Sequence, residues 1–443
     1  MVNATIPTKL KGRGVMKNLI TTSVAAVTFM GLTTASAETV YLTAGKMISP
    51  STGEVVEGPA LIIEDGVIVS TGTAASLPAP DGARPVSLAG KTILPGLIDM
   101  HTHMTGDPTK GGGYASLAYP GERSVIWGVV NAERTLMAGF TSVRNTGADG
   151  YETLALRDAI NEGEIIGPRM FVAGPPVGIV GGHCSDNNLL PPSYEATGVG
   201  VATGPWEMRG KVRQNIKYGV DFIKTCSTGG VFSKGTLLGA AQGTPEELAA
   251  IVDEAHMRGL KVAVHAHGNT GIKNAIRAGA DTIEHASYLD DEAISMAKRR
   301  GVYFSMDIYN TEYTLAEGEK NGVLQESLDK ERQVGGIQRE SFRKAVKAGA
   351  KVIFGTDAAI YPHGDNAKQF SRMVEFGMTP LQAIQASTSL AAEALGKSGA
   401  LGCLSAGCSA DIIAVSGDPL ADVSVLENVD FVMKEGLIRK GGV

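Results

Sequence analysis

The stretch LPGLIDMHTHM, Leu94 to Met104, runs through apolar residues and then sets His101 and His103 two positions apart. In an extended chain the side chains alternate between faces, so residues i and i+2 point the same way. His101 and His103 therefore share a face at the end of a predicted strand, as two ligands of one cation would. Two solvated polar residues finishing a strand would show the same spacing. The rest of the chain has to separate these alternatives.

Outward from that stretch one pattern repeats: a short apolar run, then an amphipathic segment. Eight candidate strands stand out: TILPGLIDMHTH (92–103), FTSVRNTG (140–147), RMFVAG (169–174), DFIKTCST (221–228), KVAVHAH (261–267), DTIEHAS (281–287), VYFSMDI (302–308) and KVIFGTDAA (351–359). Helical text lies between most of them. In TPEELAAIVDEAHMRG, Thr244 is placed to cap the N-terminus, Pro245 fits the first helical position, Glu247 can close a capping box and Gly259 is the stop signal. Eight strand–helix alternations predict an α/β fold, a (β/α)8 TIM-like barrel over residues 95–395. The segment after the first strand and the stretch from Val177 to Pro205 read as loops or insertions. Before the barrel, TVYLTAGKMI (39–48) and ALIIEDGVIVST (60–71) read as strands of hairpins. SADIIAVSG (409–417) and VDFVMKEGLIRKG (429–441) repeat that texture at the other end. Residues 38–94 and 396–443 are expected to meet in one small β-sandwich, with Pro95 and Gly96 marking the hand-over to the barrel.

Length and composition suit one large domain with a companion: 443 residues with 43% hydrophobic content can bury a sizeable core. The formal charge is −6, and no basic stripe marks a nucleic-acid partner. Residues 1–37 read as a signal peptide. Lys9, Lys11, Arg13 and Lys17 precede an apolar run from Leu19 to Leu32, and Ala35-Ser36-Ala37 supplies small residues for cleavage after Ala37. The run is shorter than the roughly 20 residues of a membrane span. An exported protein, periplasmic or secreted and free of the membrane after cleavage, is therefore expected. Met16-Lys17 would itself make a compact start, leaving residues 1–15 as an upstream extension. Without residues 1–37 the chain keeps 36 basic against 46 acidic residues, a net charge of −10. Cys184, Cys226, Cys403 and Cys408 are too few for a disulfide scaffold. Cys403 and Cys408 bracket a turn and could pair, with buried free thiols as the default.

A barrel of this kind carries its chemistry at the C-terminal ends of its strands. There the chain places His101 and His103 (first strand), Lys224 (fourth), His265 and His267 (fifth), His285 (sixth) and Asp357 (eighth). Imidazole and carboxylate suit zinc, and a hydrolase needs one coordination position open for water. An ammonium has no lone pair, so Lys224 can serve such a site only deprotonated or chemically altered. The alternative, a surface lysine, sits poorly beside the apolar Phe222 and Ile223. For Asp357 the alternative is a helix cap before Ala358, and for His267 a structural histidine.

HTH after the first barrel strand, a lysine on the fourth, histidines on the fifth and sixth and an aspartate on the eighth together resemble the binuclear amidohydrolase superfamily, over about Thr39 to Val443. VHAHG, IEHAS, Gly181-Gly182-His183 and STGGVFS are similar to the branch that holds Xaa-Pro dipeptidases and ochratoxin-degrading amidohydrolases. The resemblance implies two divalent metal ions, with zinc favoured by imidazole-rich ligation. His101, His103 and Asp357 would hold one and His265 and His285 the other, with Lys224 between them as a carboxylated lysine. It implies that Asp357 carries a proton to the departing amine and that His267 donates a hydrogen bond to the substrate carbonyl. The implied activity is metal-dependent hydrolysis of an amide bond, releasing a C-terminal L-amino acid from an N-acyl conjugate. Ochratoxin A, giving ochratoxin alpha and L-phenylalanine, is the implied substrate, and Xaa-Pro dipeptidase activity is the alternative. Deaminases of the superfamily place a glutamate shortly after the fifth-strand histidine, and HAHGNTG has none. A non-catalytic binding relative should have lost ligands, whereas this chain keeps all six. Relatives form large symmetric homo-oligomers, so an assembly of up to eight copies is implied.

Such a substrate presents a carboxylate beside the scissile amide. His183, Tyr309 and His363 are the candidates to meet it, with His267 as a further substrate-binding residue. The loop TGDPTKGGGYASLAYPG (105–121) could cover an aromatic acyl group or form an oligomer contact.

Overall fold

Val40 to Ser49 begins by alternating buried and half-buried side chains, the period of a strand with one covered face. It is the first of sixteen strands in the computed structural model, which describes residues 38–441 apart from 111–117, 185–189 and 195. The expected signal peptide and the centre of the loop over residues 105–121 lie outside the described residues. Strand β1 (Val40–Ser49) is followed by β2 (Glu54–Glu57), β3 (Pro59–Glu64), β4 (Val67–Thr73) and β5 (Arg84–Pro95). The chain returns to the same sheet at its other end with β14 (Ile412–Val415), β15 (Val429–Lys434) and β16 (Leu437–Lys440). The order is β16-β15-β14-β5-β1-β3-β4, with β2 paired to β1. Ile413 opposite Leu94 stitches the two chain ends together. Residues from both ends, among them Leu42, Leu61, Ile93, Ile412 and Phe431, share one buried apolar cluster. Where the pattern suggested a two-layer sandwich, hydrogen bonding makes one continuous eight-stranded sheet.

Between the two ends lie eight parallel strands: β6 (Leu97–Thr102), β7 (Phe140–Asn145), β8 (Arg169–Val172), β9 (Phe222–Cys226), β10 (Lys261–Ala266), β11 (Thr282–His285), β12 (Tyr303–Ser305) and β13 (Val352–Ile353). Each falls inside one of the eight stretches picked out from the sequence. They form a three-stranded sheet, β6-β7-β8, and a five-stranded one, β9 to β13. Two parallel bridges join these sheets: Val177 to Thr225 at one seam and Thr102 to Ala358 at the other. At the seams Val177 N–H donates to Lys224 O and Met100 N–H to Phe354 O, both at 2.8 Å. Gly96 lets β5 turn into β6, because a Cβ there would run into the Thr141 side chain.

Helices follow most strands and cover them. In Pro245–His256 the capping box forms as expected, with Thr244 and Glu247 each bonding the other's backbone N–H. The segment after the first strand is not only a loop, because Gly121–Met137 is a helix of 17 residues. Its pattern was hidden because Ile126 and Val130 face outward while Asn131 and Thr135 are buried, which blurs the apolar stripe. The cysteines also differ from the free-thiol default. Cys184 pairs with Cys226 and Cys403 with Cys408, at Cα separations of 5.6 and 6.0 Å. Sequence alone could not show that the irregular stretch after β8 returns to the end of β9. Among the described residues, no helix is long and apolar enough to cross a membrane.

Candidate active site

Strand alternation positions half of the site. His101 and His103, two apart at the end of β6, both line the site, and register places Ala263 beside Lys224 and His265 beside Cys226 across β9 and β10. A tight approach underlies His101: a Cβ on Gly355 would lie 2.9 Å from the His101 Cβ. The remaining ligand candidates need unusual backbone. His285 and Asp357 have φ of 68° and 57°, a left-handed conformation that costs a non-glycine residue roughly 1–3 kcal/mol. At the end of β11 this turn breaks the alternation, so that both Glu284 and His285 serve the site.

The result is a set of interlocking groups. In three of them the potential ligand atoms lie within 4.8 Å of one another: His101, His103 and Asp357; His265, His267 and His285; and His285, Asp307 and Asp357. A fourth, His183 with Cys226 and His265, lacks a thiolate because Cys226 is in a disulfide. Asp357 Oδ1 is 3.4 Å from His101 Nε2 and 3.2 Å from His103 Nε2. The other nitrogens are tied back: His101 Nδ1 to Glu284 Oε2 at 2.9 Å, His103 Nδ1 to Gly147 O at 3.1 Å, and His285 Nδ1 to Asp307 Oδ1 at 2.9 Å. His265 Nε2 is buried with no hydrogen-bond partner. An unpaired buried nitrogen is costly. Imidazole nitrogens and carboxylate oxygens gathered around it are the donor set of a divalent cation, so the residues present fit one.

Electrostatics keeps the donors available. Burial pushes the Lys224 ammonium down to about 8, only partly offset by Glu284 and Asp357. Burial, then the charge on Lys224, lowers His101 to about 4, and burial lowers His183 to about 3. Burial and the neighbouring imidazoles hold His265 and His267 well below the usual range. Neutral imidazoles are what a metal requires. Burial also works against a charged His285, but the Asp307 carboxylate outweighs it and raises this histidine. Burial would raise Asp357, but His101 and His103 hold it well below the ordinary carboxylate range.

The groups open into a cavity of about 600 Å³, within the range of small-molecule sites. His267 lines it, with Nδ1 2.8 Å from Ser287 Oγ. His183 lines it too, its ring 4.1 Å from that of His265 and its Nδ1 2.8 Å from Ser233 Oγ. Tyr309 and His363 are not among the lining residues. Tyr309 turns edge-on to Tyr361, and His363 is buried behind His103, between Thr135 Oγ1 and His103 O.

Sequence reasoning passed over the residues that hold the ligands. Glu284 and Arg144 are buried behind His101. Asp99 Oδ1 accepts the backbone N–H of both His101 and Thr356 at 3.1 Å, and burial raises its carboxyl to about 7. Asp307, backed by Gln338 and Asn310, orients His285. The available signal was position: Asp99 lies two residues before His101, and Asp307 at the end of the seventh predicted strand.

The amidohydrolase family profile matches residues 92–439. The chain is 34% identical to ochratoxinase from Aspergillus niger over 430 residues, 92% of this chain and 88% of that one. Its fold matches the crystal structure of A. niger ochratoxinase with a TM-score of 0.80, over 91% of this chain and 96% of that chain at 32% identity. It matches an Xaa-Pro dipeptidase with methionine bound in its active site with a TM-score of 0.84, over 91% of this chain and 100% of that chain at 37% identity. The chain belongs to the amidohydrolase family, the hydrolytic enzymes that act on amide bonds.

Proposed function

We propose that this enzyme releases a C-terminal L-amino acid from an N-acyl conjugate, with ochratoxin A, cleaved to ochratoxin alpha and L-phenylalanine, as its substrate. One observation carries the reading: the ligand groups open into a cavity whose other walls include the apolar Leu190, Val199, Val231, Phe232 and Ile360. An aromatic acyl group fits such walls, and the similarity to ochratoxinase points the same way. Two divalent ions, zinc by this donor chemistry, would be held by His101, His103 and Asp357 and by His265 and His285, with carboxylated Lys224 between them, and would supply Lewis-acid polarisation of the carbonyl and a nucleophile at neutral pH.

The protein's own groups do the rest. Asp357, ionised between His101 and His103, takes a proton from the attacking water and delivers it to the leaving nitrogen. His267 Nδ1 lies 2.8 Å from Ser287 Oγ, and in the tautomer this reading requires the hydroxyl donates to Nδ1, which leaves His267 Nε2–H to donate to the carbonyl oxygen as negative charge develops there. His183, above His265 and beside Ser233, meets the substrate carboxylate. Export after cleavage near Ala37 and assembly into a symmetric homo-oligomer belong to the same reading. The two disulfides support an oxidising compartment.

A second reading, Xaa-Pro dipeptidase, is favoured by the 37% identity to that solved enzyme. Product assays on ochratoxin A, N-benzoyl-L-phenylalanine and L-alanyl-L-proline separate the two. Release of phenylalanine from the first two, with kcat/KM at least tenfold above that for the dipeptide, is expected. Faster cleavage of alanyl-proline would replace the first reading with the second.

A further inference from the structure

Arg144 lies on β7, 4% exposed, with all three of its nitrogens engaged. Its Nε donates to Met100 O at 2.6 Å, Nη1 to Thr282 Oγ1 at 3.0 Å and Nη2 to Glu284 Oε1 at 2.6 Å. Glu284 is fully buried. Its Oε1 takes Arg144 and the Thr282 hydroxyl, while Oε2 faces His101 Nδ1 at 2.9 Å. The chain of contacts thus runs from β7 through β11 to β6 and ends on a ligand candidate.

Stability alone is a poor reason for this arrangement. Replacing a buried ion pair with apolar side chains of similar volume is often neutral or stabilising, because desolvation offsets the attraction. The geometry offers a better one. A carboxylate oxygen can only accept, so Glu284 Oε2 fixes the proton of His101 on Nδ1 and turns the Nε2 lone pair toward Asp357. His103 has a backbone carbonyl for the same purpose, and its side chain is 36% exposed against 2% for His101. His101 is therefore the ligand the protein orients most firmly.

We propose that Arg144 and Glu284 are a positioning pair that holds His101 in its Nδ1-protonated form and so sets how tightly the His101–His103–Asp357 group binds a divalent cation. This role rests on the two-cation reading above.

The test uses the full chain, stripped of metal and titrated with zinc against a chromogenic chelator, with thermal unfolding of the stripped protein as a separate readout. Glu284→Gln is expected to weaken one of two zinc sites about 10- to 100-fold and to leave the other unchanged. Arg144→Met lowers the unfolding temperature by leaving Glu284 unpaired. The charge-balanced double variant Arg144→Met/Glu284→Leu should recover the unfolding temperature yet keep the weakened site. Wild-type zinc affinity in Glu284→Gln or in the double variant would overturn the positioning role and leave the pair purely structural. His101→Ala separates the two levels: if wild type binds no zinc, or if zinc binding survives His101→Ala unchanged, the two-cation reading itself fails and this role with it.

Discussion

The group His101, His103 and Asp357 and the group His265, His267 and His285 face each other across the site but are built on different principles. The first is held from behind: Glu284 and Arg144 back His101, and Asp99 and Thr356 tie β6 to the chain after β13. The second leans on residues at the cavity wall, because Asp307, which orients His285, lines the cavity together with Asn310 and Gln338. Both groups line the cavity, but the first is anchored by residues outside it and the second by residues of its wall. The contrast shows how one strand end can serve both, since Glu284 turns to the first group and His285, by its left-handed φ, to the second.

The largest expected effect lies in the first group. Asp357→Asn should cut kcat by about 10³-fold, within the range of general acid–base catalysis, and unchanged turnover in a steady-state assay would remove its proton-carrying role. In the second group His267→Gln should cost about 10²-fold in kcat with little change in bound metal, because it removes one donor to the developing oxyanion. An equal loss of metal would move His267 into the ligand set.

His101 and His285 should part in their response to pH. In the metal-free protein His101 falls from 6.5 to about 4, so it is neutral in the folded chain where the unfolded chain binds a proton. Its contribution is intact above about pH 6.5 and is lost as pH falls toward 4, by about 3 kcal/mol. His285 is raised by Asp307, so its contribution has the opposite sign: present at low pH and lost as pH rises through its folded value. Thermal unfolding in chelator across pH 4–7 should show wild type losing stability on acidification. An Asp307→Asn variant should lose more steeply, because His285 no longer compensates, and a parallel slope would contradict that compensation. The smallest effect is Gln338→Ala, which leaves Asp307 one donor short and should cost about 1–2 kcal/mol of unfolding free energy, with kcat/KM changed only a few-fold.

The same division decides how much was legible in the sequence. Strand-like apolar runs exposed the eight strands, alternation the shared face of His101 and His103, and the Thr-Pro-Glu-Glu pattern the helix cap at Thr244, because each is a property of the local chain. Glu284 and Arg144 stayed hidden because a buried ion pair between two strands far apart in sequence has no local signature, and FTSVRN reads as an ordinary strand with one charged residue. The positions of Tyr309 and His363 depend on how turns after β12 and β13 fold back. The Cys184–Cys226 bridge likewise depends on where a long irregular segment returns, which spacing does not encode.

The most direct test of the account is the metal content of the purified full chain and of Lys224→Ala, measured by inductively coupled plasma mass spectrometry alongside turnover of N-benzoyl-L-phenylalanine. Lys224 is buried, lines the same cavity as both groups and is the residue proposed to join them. Two divalent ions per chain in wild type, with fewer than two and loss of turnover in Lys224→Ala, is the predicted result. Two bound ions and full turnover in Lys224→Ala would contradict it.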